Sequence, residues 1–171
     1  MKSILLFIAV IFCWVNTAYG QETSYHISLY AESMENGSAT GAGIMAGSDV
    51  FYGGLNWSYI ESSRVIQRDN RKNIRPFYLF MGLRVPIKFS PYIEAGIDLP
   101  EAFIDDLLNN EEKSEVQADY YFSGGLMFKM NKKVSLSLYA KKYNFIFREN
   151  IYAPTVKTRP HSYGAGVAIL F

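Results

Sequence analysis

The chain has 171 residues, 49% of them apolar, with 13 Tyr, 12 Phe and 2 Trp. Seventeen Lys and Arg stand against sixteen Asp and Glu, and a formal charge of +1 offers no basic surface for nucleic acid. The one cysteine, Cys13, excludes an internal disulfide and a metal site built on several thiolates.

The N-terminal segment reads as an export address. Lys2 supplies charge, Ile4 to Val15 is almost continuously apolar, and Ala18-Tyr19-Gly20 has the small-x-small pattern of a cleavage site. Residues 1–20 are therefore expected to be a signal peptide, and 21–171 a single domain. The apolar run is too short for a membrane helix, which needs about 20 residues. Ile11 and Phe12 before Cys13 are too large for a lipid-attachment site. No later segment has the apolar length of a spanning helix.

From residue 25 onward the dominant period is two, which marks strands. Tyr25, Ile27, Leu29 and Ala31 alternate with His26, Ser28, Tyr30 and Glu32. Residues 38–47, rich in glycine, form a weaker second strand whose facing the pattern leaves open. Gly53, Leu55, Trp57 and Tyr59 alternate with Gly54, Asn56, Ser58 and Ile60 in the third strand. Phe77 to Val85 gives the fourth, and Tyr92 to Leu99 the fifth. Ala118 to Phe128 gives the sixth, Val134 to Lys141 the seventh, and His161 to Phe171 the eighth. Ser48-Asp49, Pro86-Ile87-Lys88 and Asn131-Lys132-Lys133 are short links; 61–73, 100–115 and 148–158 are long ones. The first hairpin, near Glu35-Asn36-Gly37, is short although it falls on the long-loop side.

Eight strands of about ten residues fit the length of a transmembrane strand. Short turns at one end and long loops at the other fit a membrane barrel. Lipid offers no hydrogen-bond partner to an open sheet edge, so such a sheet must close on itself. The expected fold is thus an all-β, eight-stranded, antiparallel, up-and-down transmembrane barrel. The competing fold, a soluble lipocalin-like barrel, would turn the apolar rows inward.

The final strand resembles the assembly signal of Gram-negative outer-membrane barrels, with Tyr163, Val167, Ile169 and a terminal Phe171 on one face. The architecture is similar to small OmpA-, OmpX- and OmpW-type barrels. The resemblance implies an outer-membrane location, handling by the outer-membrane assembly machinery, and lipids and lipopolysaccharide as surroundings. It brings no functional residue with it.

Strand parity puts Glu32, Arg84, Glu94, Asp98, Asp119, Tyr121, Tyr139, Lys141 and Tyr143 in the lumen. Buried charges need partners, and eight strands leave an interior that side chains fill. An ion-pair and tyrosine plug is therefore expected, with Lys141 near Tyr121 and diagonal to Asp119. His26 and Ser28 have the H-x-S spacing of lipid A deacylases, but on the lumen face, whereas those enzymes turn that pair toward lipid. His161 and Ser162 are adjacent and point to opposite faces.

The second loop carries Arg64, Arg68, Arg71, Lys72 and Arg75, a set suited to phosphate or to pairing with the third loop. The third carries Asp105 and Asp106 among other acids, and opens like a short helix after Pro100. No phosphate loop, metal-spaced His/Cys cluster or nucleophile elbow occurs, so neither a cofactor nor a metal is expected. The sequence points to a monomeric structural or surface-contact protein. A lipid A-modifying enzyme and a narrow small-molecule channel are the alternatives.

Overall fold

The computed structural model describes residues 23–34, 37–62, 75–99, 119–147 and 156–171. The expected signal peptide, the tip of the first hairpin, Arg64, Arg68, Arg71 and Lys72, and the third-loop helix with Asp105 and Asp106 lie outside the described residues.

Among the described residues nine strands follow in order: β1 (Ser24–Met34), β2 (Gly37–Gly47), β3 (Phe51–Ser62), β4 (Phe77–Arg84), β5 (Phe89–Asp98), β6 (Tyr120–Lys129), β7 (Val134–Phe147), β8 (Val156–Thr158) and β9 (His161–Leu170). Eight of them form a closed antiparallel wall. Each of β1 to β7 pairs with its successor in that run, β7 pairs with β9, and β9 pairs with β1. β8 pairs only with the end of β7, from Phe145↔Thr158 to Phe147↔Val156, and prolongs that hairpin above the wall. The sequence reading gave the alternation of the seventh strand as far as Lys141, and β7 runs six residues further, past Lys142 and Asn144, which break the apolar row. They do so because the strand climbs past that row: Asn144 is buried and accepts a hydrogen bond from Arg159 Nε at 3.2 Å.

Side chains follow the two-residue period. Ile27, Leu29, Trp57, Leu83, Ile93, Phe122, Leu138 and Ile169 all point outward and are exposed. The lipocalin-like alternative required the reverse. The facing of β2 is decided by its neighbours: Ala39 and Met45 are buried in the lumen, while Thr40 and Ile44 are exposed on the outside. Aromatic residues ring both ends of the wall. At the short-turn end Tyr25 and Phe171 lie 6.5 Å apart and Phe89 stacks on Phe128 at 4.7 Å. At the long-loop end Tyr120 meets Phe122 edge-on at 5.6 Å.

The short turns are held by their own side chains. The Ser48 hydroxyl accepts from the backbone N–H groups of Val50 and Phe51. Asn131 Oδ1 accepts from Lys133 and Val134 at 2.7 and 2.8 Å, an Asx turn. β5 starts at Phe89, three residues before the Tyr92 at which the sequence reading began it, and so includes Pro91. Proline is tolerated near a strand's start, and the Pro91 carbonyl still accepts from Val85 N at 3.0 Å.

Candidate functional site in the barrel lumen

One device recurs in the lumen: an inward glycine on a central strand, with large or polar side chains on both flanking strands meeting across it. Glu32 on β1 lies opposite Gly164 on β9, and Gly164 lies opposite Tyr139 on β7. Glu94 on β5 lies opposite Gly82 on β4, and Gly82 opposite Tyr52 on β3. Tyr30 on β1 lies opposite Gly41 on β2, and Gly41 opposite Ser58 on β3. In each case the two flanking groups hydrogen-bond: Tyr139 to Glu32 at 3.1 Å, Tyr52 to Glu94 at 3.3 Å, and Tyr30 with Ser58 at 2.5 Å. A Cβ at Gly41, Gly82 or Gly164 would collide with the tyrosine ring lying over it. Gly96, opposite Tyr121, is occupied in the same way.

The upper cluster centres on Glu32. Its Oε1 accepts from Lys141 Nζ at 2.6 Å and from the Tyr139 hydroxyl. Its Oε2 accepts from the Tyr143 hydroxyl at 2.7 Å and the Ser162 hydroxyl at 2.8 Å. Four donors thus fill the four or so acceptor positions of a carboxylate. The Glu32 and Lys141 side chains are 0% and 4% exposed, so the pair is buried, with Lys141 at the edge of the cavity that lies below. Lys141 is also surrounded by ring faces, with Tyr121, Tyr30, Tyr139 and Tyr143 at 4.5 to 5.3 Å. Above it, toward the long loops, Tyr78, Tyr121, Tyr143 and Phe145 fill the lumen and are fully buried. Tyr78 meets Tyr121 edge-on at 4.9 Å, and Tyr143 stacks on Phe145 at 5.2 Å.

The middle of the lumen is looser. Glu94 accepts from Tyr121 at 2.7 Å and from Tyr52. Below this level is a cavity of about 70 Å³ lined by Glu94, Tyr92, Tyr139, Asn56, Ser123 and Ser137, among others. A polar space of that size holds a few water molecules. Asn56 Oδ1 is buried with no protein partner among the described residues, so water is the donor the site calls for.

At the short-turn end Arg84 closes the interior. Its Nη2 and Nε donate to the carbonyls of Ser48 and Asp49 at 2.8 and 3.2 Å, and its guanidinium lies 5.2 Å from the centre of the Tyr52 ring. Asp49, in the turn, accepts from Lys129 at 2.7 Å. That hydrogen bond, ahead of the Coulombic pull of Lys129 and Arg84, holds the Asp49 carboxyl below the usual aspartate value.

The structure separates the expected lumen residues into these groups. Glu32, Lys141, Tyr139, Tyr143 and Tyr121 come together. Arg84 sits apart with the turn, and Glu94 borders the cavity. Asp98 accepts from Phe77 N at 3.1 Å near the long-loop end, and Asp119 bonds to the adjacent stretch through its carbonyl and Asp98 N. The ionic partner of Lys141 is Glu32, across the barrel seam, and not the diagonal Asp119; the closure of β1 onto β9 is what supplies it. His26 does not pair with Ser28: its Nε2 bonds the Ser24 hydroxyl at 2.9 Å, while Ser28 donates to the Gly43 carbonyl. Ser162 is buried on Glu32 and His161 is exposed outside. Tyr52, Tyr92, Ser58 and Ser162 were missing from the sequence-derived set. Tyr52 shares the inward parity of Asn56 and Ser58, and lies just before the Gly53 at which the sequence reading began the third strand, whereas β3 starts at Phe51.

These features define a class: closed eight-stranded antiparallel barrels with a filled polar lumen and an apolar outer wall. Solved structures of that class resemble this chain. The N-terminal β-barrel domain of Pseudomonas aeruginosa OprF matches over 86% of this chain and 97% of its own, with a TM-score of 0.57 and 11% identity. Neisserial surface protein A (NspA) matches over 87% and 96%, with a TM-score of 0.54 and 10% identity. A de novo designed transmembrane β-barrel matches over 86% and 94%, with a TM-score of 0.53 and 13% identity. No family model and no curated protein matches the sequence. A designed barrel shares the shape as fully as the natural ones, so the likeness speaks for fold and not for role.

Proposed function

We propose that the protein is a monomeric outer-membrane barrel of a Gram-negative bacterium, with a structural or surface-contact role and a lumen that does not conduct. The apolar outer wall supports the membrane reading: in water, such a continuous exposed surface is an aggregation hazard, whereas in lipid it is the required solvent match. The outward row of β9, Tyr163, Val167, Ile169 and Phe171, is the one the assembly machinery would read. The short turns then face the periplasm and the long loops the cell exterior.

The observation that carries the non-conducting role is the seal above Glu32: three tyrosines and Phe145 fully buried across the lumen, over a buried ion pair. Planar-bilayer recording tests it. Purified protein is expected to give no conductance steps above the lipid baseline. Steady steps that disappear in Glu94→Gln would instead favour a narrow channel through the cavity, the second reading that the wet middle of the lumen supports.

A further inference from the structure

The outer wall carries a groove of about 210 Å³ on β6, β7 and β9, near the long-loop end. Its outward side chains are Phe122, Gly124, Ala140, Lys142, His161 and Tyr163. Strand register builds it. Gly124 lies opposite Ala140 and Ala140 opposite Tyr163, giving a shallow floor with an aromatic wall. One step toward the long loops, Phe122 lies opposite Lys142 and Lys142 opposite His161, placing two cation-capable groups at the groove's upper end.

Two observations say that the groove fits something outside the protein. First, the described outward residues of the eight wall strands carry only two formal charges, Glu61 at the end of β3 and Lys142. Lys142 and His161 are exposed, and among the described residues neither has an ion-pair or hydrogen-bond partner. Lys142 follows Val134 by eight residues on β7. At about 2.6 Å of height per residue in a tilted strand it stands roughly 20 Å above Val134, near the outer edge of an apolar band about 25 Å tall. That is the level of outer-leaflet headgroups. Second, Gly124 differs from the lumen glycines. A Cβ there would meet nothing nearer than the Tyr92 carbonyl at 3.7 Å and Ile93 at 4.0 Å. The barrel's own packing does not require glycine at this position, yet a side chain would fill the groove.

We infer that this groove is a binding site for a phosphorylated glycolipid of the outer leaflet, of the lipid A type. An acyl chain lies over Gly124 and Ala140 between Phe122 and Tyr163, and a phosphate is held by Lys142 and His161, which lie opposite each other on β7 and β9. The inference rests on the outer-membrane reading.

The test uses the folded full-length exported protein in detergent micelles, with bound lipid counted by native mass spectrometry. The probes are diphosphoryl lipid A, its dephosphorylated form and phosphatidylglycerol. Diphosphoryl lipid A is expected to be retained about tenfold better than either of the others. The double variant Lys142→Gln with His161→Gln is expected to lose that preference. Gly124→Leu is expected to lose retention while still migrating faster unboiled than boiled on SDS gels. Undiminished lipid A retention in Gly124→Leu, or in the double variant, would overturn the site. So would equal retention of phosphatidylglycerol by the wild type. If the wild type itself migrates identically before and after boiling, the outer-membrane reading fails first; normal heat-modifiable migration without lipid retention sinks the groove alone.

Discussion

Glu32 and Glu94 are both lumen carboxylates facing a tyrosine across a glycine, yet their surroundings differ. Glu32 takes four protein donors, one of them a lysine, and its side chain is fully buried. Glu94 takes two tyrosine hydroxyls and borders a cavity. The difference shows how one repeated backbone device gives a tightly closed lock near the long-loop end and a looser pocket in the middle. What changes is the neighbour beyond the tyrosine. On β7, Lys141 sits two residues past Tyr139 and on the same face, and so reaches Glu32. On β3, the corresponding positions beside Tyr52 are Gly54 and Val50, so that strand supplies no cation, and Lys141, bonded to Glu32, acts on Glu94 only through space, from across Ser123 on β6.

The strongest way to break this contrast is Glu32→Gln. It leaves Lys141 charged, buried and without its counter-ion, a change that costs about 3–5 kcal/mol in buried pairs. Urea unfolding in micelles, followed by Trp57 fluorescence, should show the loss. Adding Lys141→Met should recover a large part of it, because an apolar pair removes the uncompensated charge. If the double variant is no better than Glu32→Gln, the pair is not what holds the upper lumen.

Next come the glycines. Gly164→Val should displace Tyr139 from Glu32, and Gly82→Val should displace Tyr52 from Glu94, each costing about 1–3 kcal/mol as overpacking. The comparison sharpens in the difference between them: Gly164→Val should cost more, since it also loosens the buried ion pair. Equal losses in urea midpoint would mean that steric crowding alone matters.

Glu94→Gln should cost only about 1 kcal/mol or less. The amide oxygen still accepts from Tyr52 or Tyr121, and the new N–H groups face a space that holds water. A loss as large as that of Glu32→Gln would show the cavity to be dry.

The smallest effect belongs to the short-turn end. Asp49 is 58% exposed and its bond to Lys129 is screened by solvent, so Asp49→Asn should cost a few tenths of a kcal/mol, about the value of a surface pair. Its folded pKa is depressed, so its contribution is present at neutral pH and above the unfolded value. That contribution is lost as pH falls through the folded pKa. The wild-type and Asp49→Asn unfolding midpoints should therefore converge as pH falls below the unfolded aspartate value of about 3.9 and on through the lower folded one. A difference that persists unchanged in acid would remove Lys129 as the cause.

The alternation of residues with a period of two was legible from β1 onward, and with it the sorting of side chains between lumen and outer wall. A pleated strand leaves no freedom in which face residue i+2 takes. Short links such as Asn131-Lys132-Lys133 likewise declared their turns by local chemistry. The failures are equally local in cause. β5 starts at Phe89, before Pro91, and β3 at Phe51, before Gly53-Gly54, so Tyr52 fell outside the strand as first read.

The sequence by itself thus determined the number of wall strands, their order and the inside–outside sorting, because each depends on neighbours a few residues apart. Only the tertiary structure decided who meets whom. Glu32 and Lys141 are 109 residues apart, and no local pattern records that β9 lies between their strands with a glycine at the crossing. The facing of β2 was settled the same way, by the registers of β1 and β3 on its two edges. Closure turns a list of inward residues into specific contacts, since the shared register of every strand around the ring fixes the height of each side chain.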